Sequence, residues 1–162
     1  MSTISLFITG GTLDKQYNEI KGELGFIKTS IQEIIKDSRT TLDLSTKELM
    51  LVDSLEMTDT QRKEIVAACS SCKHHKIIIT HGTDTMVKTA KEIAAKKLAK
   101  TIVLTGAMIP YRVHKSDAVF NLSAAFAFCQ TLENGVYIAM NGRYFLWNDV
   151  IKNKELGIFV PL

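Results

Sequence analysis

The chain has 162 residues, 46% of them hydrophobic and 23% charged, with a net charge of +3. This is the size and balance of one globular domain whose core holds without disulfide staples. The mild charge, with no basic patch interleaved with aromatics, speaks against nucleic acid, and no apolar run reaches membrane-spanning length.

In chain order, the N-terminal MSTISLFITGG is too short and too uncharged for a signal peptide. Its apolar run at 4–8 predicts a strand ending in Thr9-Gly10-Gly11-Thr12. Ser30-Ile-Gln-Glu33 reads as a capping box that opens a helix over IIKD. A second strand, 49–52, ends in Asp53-Ser54, and Thr58-Asp-Thr-Gln61 is another capping box, before RKEIVAAC. A third strand, 77–79, leads into Thr80-His81-Gly82-Thr83-Asp84. From Asp84 to Leu98, apolar Met86, Val87, Ala90, Ile93, Ala94 and Leu98 repeat at helical spacing. Lys88, Lys91, Lys96, Lys97 and Lys100 read as solvated positions of that segment. A strand at 102–104 ends in Thr105-Gly106-Ala107. Ser116 is the expected cap of DAVFNLSAAFAFCQTL, a helix apolar on most sides and so expected to be buried. A last strand, 136–140, ends in Asn141-Gly142.

Strands alternating with helices predict an α/β fold. The expectation is a three-layer, Rossmann- or flavodoxin-like domain over residues 1–162, a mostly parallel twisted sheet with helices on both faces. In such a sheet the strand carboxyl ends share one edge, where helix N-termini point and ligands bind. The small and hydroxyl residues gather directly after the strands, so turns distant in sequence are expected to converge there.

Glycines at 10, 11 and 82 admit close backbone approach, and amides freed in such turns can stabilise an oxyanion. A threonine hydroxyl becomes a nucleophile when a base or a hydrogen-bonded relay activates it. Thr12 and Thr83 are expected to flank one pocket, with Asp84 placed to orient a lysine near the same edge. That set suits acyl transfer from an amide. Taken singly, a Thr-Gly turn is ordinary turn chemistry; the doubled turn is what points to a site. Nucleotide-binding glycine spacings are absent.

Other groups carry less. Cys69-Ser-Ser-Cys72 with His74 and His75 has the look of a metal or redox motif, but no second ligand pair follows and Cys69 continues an apolar helix face. Three cysteines without framework spacing point to a reducing cytoplasm. His81 and His114 are candidate bases; against that, His81 is expected to pack or hydrogen-bond within its own turn, and His114 to lie in a loop fringing the pocket, where Arg112 is the alternative, as partner of a substrate carboxylate. Phe120, Phe126, Phe128 and Trp147 read as core or interface.

TGGTLDK, HGTDTM, LTGAM and SDAVFNL, in that order, resemble the signature segments of the bacterial L-asparaginase/glutaminase family. The resemblance runs from Thr9 to about Phe159 and covers the N-terminal domain of the longer enzymes, with no second domain expected. DSLEMTD, YIAMNGR and WNDVIKN are similar to its short, single-domain members. The resemblance implies hydrolysis of asparagine through a threonine acyl-enzyme. It makes Thr12 the nucleophile and Thr83-Lys152-Asp84 the proton relay. It makes Ser54 the holder of the substrate α-carboxylate, and Gly11 and Gly82 part of the pocket wall. Tyr17 matches the family's loop tyrosine but lies closer to Thr12. Leu55 stands where long members often have glutamine, and Glu56 is the polar neighbour that could replace it. No cofactor and no metal are implied. The implied partners are a small amide or amino-acid substrate and further copies of the chain, as a dimer or tetramer. Two alternatives stay open: an amidase of another small amide, and an amino-acid binding module without turnover.

Overall fold

The five apolar runs become the parallel strands of one sheet in the computed structural model, which describes residues 2–162. Strand β1 (Ile4–Gly10) leads into a 3-10 turn at Thr12–Asp14 and a small hairpin of β2 (Gln16–Asn18) and β3 (Glu23–Gly25). Then follow α1 (Ile31–Ser38), β4 (Leu44–Val52), α2 (Asp59–Ser71) and β5 (Lys76–Thr80). Next come α3 (Met86–Ala94), β6 (Thr101–Thr105), α4 (Ala118–Thr131) and β7 (Gly135–Met140). β8 (Arg143–Leu146) and a hairpin of β9 (Ile151–Asn153) and β10 (Ile158–Val160) complete the order. The main sheet runs β4-β1-β5-β6-β7-β8, parallel throughout except for the antiparallel edge strand β8.

Strand alternation divides the core into two layers. Phe7, Ile77, Ile79, Ile102, Leu104, Val136 and Ile138 face one way and pack with Ile65, Val66 and Cys69 of α2 and Met86, Ala90 and Ile93 of α3. Ile4, Leu6, Ile8, Ile78 and Val103 face the other way and pack with Ile31 and Ile34 of α1 and Leu122, Ala125 and Phe126 of α4. Burying each such side chain stabilises the fold by about 1.5–3 kcal/mol. Helices therefore cover both faces, as expected.

The winding contains one exception. β1 to β4 moves one way along the sheet under α1, while β4 to β5 and β5 to β6 move the opposite way under α2 and α3 on the opposite face. Those three crossovers share one hand. β6 to β7 continues in the direction of β5 to β6, yet α4 lies on the α1 face. Its hand is opposite, the rare left-handed case of a strongly right-handed rule. The α3 face beside β7 and β8 is filled instead by Phe145, Val150 and Phe159 from the C-terminal segments.

Several local expectations change. Thr58 forms the full capping box with Gln61. Ser30 does not cap: its side chain makes no cap bond, and its amide is instead held by Asp14 at 2.7 Å. α3 ends at Ala94 rather than near Leu98. β4 starts at Leu44, because an edge strand tolerates the polar LSTKE that hid its first half. Lys100 is no solvated lysine; its Nζ donates to the α2 C-terminal carbonyls of Cys69 (2.7 Å) and Cys72. α4 is not wholly buried, since Phe120 is 62% exposed. No helix among the described residues is long and apolar enough to cross a membrane.

Candidate active site

Three turns meet at the carboxyl edge of the sheet because two glycines leave no room between them. A β-carbon on Gly11 would lie 2.5 Å from the Gly82 Cα and 2.8 Å from the His81 carbonyl carbon, and Gly11 has φ 75°, a conformation that only glycine takes freely. A β-carbon on Gly82 would lie 2.5 Å from Cβ and Oγ of Ser54. The turns after β1, β5 and β4 are thus packed in series, Gly11 on Gly82 on Ser54. The first threonines of the doubled turn lie inside the sheet: Thr9 Oγ1 donates to the Thr80 carbonyl at 2.7 Å across the two strands, while Thr80 is fully buried in β5 with its own hydroxyl unpartnered among the described residues. The second threonine of each, Thr12 and Thr83, follows the packed glycine. Among the described residues, neither the Thr12 hydroxyl nor the amides of Thr12 and Thr83 has a hydrogen-bond partner.

Lys152 reaches this edge from β9. Its Nζ donates to Thr83 Oγ1 at 2.7 Å and to Asp84 Oδ1 at 2.9 Å. Thr83 is buried, and the lysine side chain is only 12% exposed. Beside the trio opens a cleft of about 370 Å³, lined by Thr83, Asp84, Val87, Val150 and Lys152. The lysine is held there by its hairpin: Phe159, opposite Lys152 in register, is buried in the core, and its amide donates to Asn141 Oδ1 at 3.0 Å. The Asn141 amide in turn donates to Asn121 Oδ1 at 3.2 Å. Asn121 Nδ2 donates to Asp117 Oδ2 at 2.9 Å, and Asp117 accepts from the amides of Met108 and Ile109. The SDAVFNL segment is therefore a brace for the loop after β6 and for the Lys152 hairpin.

The turn bearing Thr12 is tied at both sides. Asp14 is buried and accepts from Ser30 N at 2.7 Å and Thr29 Oγ1 at 3.0 Å, so one carboxyl joins the two feet of the β2–β3 hairpin. Burial pushes that carboxyl above its ordinary pKa against those hydrogen bonds. Lys15 pairs with Asp53, and this hydrogen bond holds the Asp53 carboxyl below the ordinary range.

The remaining expectations divide. Tyr17 stands on β2 and is 61% exposed, and Leu55 is 69% exposed. Glu56 is exposed, anchored by its amide to the Asp53 carbonyl at 3.0 Å. Arg112 pairs with Glu33 and stacks by Tyr111, so its charge is already partnered, and His114 is solvent-exposed. Cys69 is core, and burial first, then the neighbouring Cys72, pushes its thiol up to about 12. Cys72 and His74 both meet Ser5 Oγ, at 3.2 and 2.8 Å. No group of three metal-ligating side chains gathers among the described residues. His81 does bond within its turn, Nδ1 to the Gly82 carbonyl at 2.8 Å. Sequence reading missed Arg62, which is 1% exposed. Its signal was available: Arg62 stands three, four and seven residues before buried Ile65, Val66 and Cys69, on the inward face of α2.

Residues 3–157 match the family model described as Asparaginase, N-terminal. The sequence is 29% identical to a Haemophilus influenzae protein named probable L-asparaginase periplasmic, over 98% of this chain and 48% of that protein. The fold superposes on the thermostable L-asparaginase from Thermococcus kodakarensis with a TM-score of 0.88 at 26% identity, covering 99% of this chain and 51% of that one. It superposes on a probable cytoplasmic L-asparaginase from Campylobacter jejuni with a TM-score of 0.83 at 29% identity, covering 99% and 53%. The chain thus spans about half the length of these relatives.

Proposed function

The chain belongs to the asparaginase N-terminal family, and from that premise we propose that it is an amidohydrolase releasing ammonia from L-asparagine or a closely related small amide. The observation that carries the reading is Lys152 Nζ within 2.7 Å of Thr83 Oγ1 and 2.9 Å of Asp84 Oδ1. A lysine so placed takes a proton from a hydroxyl only if a carboxylate orients it and balances the charge it gains.

Thr12 Oγ attacks the amide carbon as its hydroxyl proton passes to the Thr83–Lys152 relay, and the carbonyl oxygen takes the negative charge. The unpartnered amides beside the packed glycines supply the stabilising donors. The C–N bond breaks as the nitrogen accepts a proton by way of Thr83, leaving ammonia and an ester on Thr12. Water then attacks the ester, giving its proton back through Thr83 and Lys152, and the C–O bond to Thr12 breaks. In this reading Ser54 holds a substrate carboxylate and Tyr17 closes over the pocket from the β2–β3 hairpin, roles supported by the family resemblance of their segments. No cofactor enters these steps.

One observation favours a different amide. Leu55 is 69% exposed and apolar where longer relatives are expected to bind the α-amino group, and the exposed Glu56 is the nearest substitute in sequence. We also infer a cytoplasmic protein, in keeping with three free thiols, and a homo-oligomer, in keeping with exposed Val119 and Phe120 on α4.

Ammonia release across asparagine, glutamine and related amides tests the activity. Thr12→Ala and Thr83→Ala should each lose orders of magnitude in turnover, and Lys152→Ala about 10²- to 10⁴-fold. Full activity in both threonine variants would overturn the mechanism. Release from none of the amides, with aspartate still bound in a calorimeter, would leave only a binding module.

A further inference from the structure

Arg62, in the first turns of α2, is 1% exposed and has no carboxylate within hydrogen-bond reach. Glu92 Oε1 is 3.7 Å from its Nε, and that Nε has no acceptor among the described residues. Its Nη1 donates instead to Thr89 Oγ1 and, at 3.4 Å, to Thr85 Oγ1. From there two branches diverge. Thr89 Oγ1 lies 2.7 Å from His81 Nε2, and His81 Nδ1 lies 2.8 Å from the Gly82 carbonyl. Thr85 Oγ1 donates to the Ser54 carbonyl at 2.9 Å.

The chemistry allows one assignment of protons. A carbonyl only accepts, so His81 carries its proton on Nδ1. Complete burial keeps the ring neutral, so Nε2 accepts from the Thr89 hydroxyl, whose oxygen in turn accepts from Arg62. One buried cation therefore ends two strings, at the carbonyls of Gly82 and Ser54. The Gly82–Thr83 peptide is trans, so fixing its carbonyl on His81 turns the Thr83 N–H the opposite way. Apolar side chains of similar volume would serve stability as well as a buried charge whose carboxylate neighbour, Glu92, stands beyond hydrogen-bond reach at 3.7 Å. What they could not do is hold two peptide planes.

We propose that Arg62, Thr85 and Thr89 are positioning residues for the amidohydrolase reaction: Thr89, through His81, sets the Gly82–Thr83 peptide, and Thr85 sets the Ser54 turn. The inference rests on the reading of the site given under Proposed function. Arg62 holds the two turns in register, so attack and substrate holding are aligned by one group that touches neither.

The test is steady-state ammonia release by Thr89→Val, Thr89→Ser and Thr85→Val, each nearly isosteric at its site. Thr89→Val should cut kcat about tenfold or more with KM little changed, and Thr89→Ser should restore it. Thr85→Val should raise KM about tenfold with kcat little changed. Wild-type constants in both valine variants would overturn the proposal. So would losses in one and the same parameter that merely track melting temperature. If the wild type releases no ammonia from any amide, the functional reading fails while this one is read by ¹⁵N NMR. The wild type should then show a neutral His81 with its proton on Nδ1, and Thr89→Val should shift the Thr83 amide resonance. A ring protonated on Nε2, or an unmoved Thr83 amide, would overturn the inference.

Discussion

His81 links a buried imidazole to pH-dependent stability. Burial lowers its pKa from 6.5 to about 4, outweighing the bond to the Gly82 carbonyl. The unfolded chain takes up the proton near 6.5, the folded one only near 4. The stabilisation is therefore present in full above 6.5 and is lost as pH falls toward 4, a change of about 3 kcal/mol. His81→Asn keeps a donor near Nδ1 and removes the titration. Denaturant unfolding should show the wild type losing ground to this variant between pH 7 and 4; a constant gap would refute it. Asp14 runs the other way. Its raised pKa means that the folded state holds the proton longer, so its charged form costs stability as pH rises above the ordinary carboxylate range. Asp14→Asn should gain on the wild type over that interval in the same measurement. Residues of the site proper were legible because one ordinary turn is doubled: Thr12 and Thr83 each follow a glycine after an apolar strand, with Asp84 beside the second. Thr85, Thr89 and Asp14 were not, because a polar group that serves by burial is visible only once its surroundings are known; helical spacing marks Arg62 as inward but not what it bonds.

The elements were legible where one force dominated. Buried strands read as continuous apolar runs, and Thr58 with Gln61 announced α2 by a bond that forms as expected. β8, β9 and β10 were hidden, being short and only partly buried. Lys152 was found by its motif, not by its strand. The hairpin carrying it is held by Phe159 and Val150, each 2% exposed, and by the Asn141–Phe159 bond. Phe159→Ala should cost about 3–5 kcal/mol at full burial, and because the cavity lies behind Lys152, turnover should fall even where the sheet stays folded. Circular dichroism alongside ammonia release checks this; an unimpaired kcat in a folded variant would show that the hairpin does not depend on its anchor.

At the scale of the whole molecule, exposed apolar residues lie on α4 and β8: Phe120 at 62%, Tyr144 at 49% and Leu146 at 48%, with Phe128 and Tyr144 edge to face at 5.1 Å. Phe120→Glu should shift the sedimentation coefficient toward the monomer if this face joins copies, and leave it unchanged if it does not. The mostly parallel sheet and both helical layers followed from strand–helix alternation, but the strand order and the left-handed passage of α4 did not, because neither leaves a mark on hydrophobic spacing. That passage also sets what can be built here. A designer who rethreaded α4 onto its conventional side would restore the rule and place a helix where Val150 and Phe159 now dock. The lysine would lose its foothold next to Thr83. The irregular route of one helix is thus the architectural opening through which a late segment of the chain gains access to turns laid down well before it.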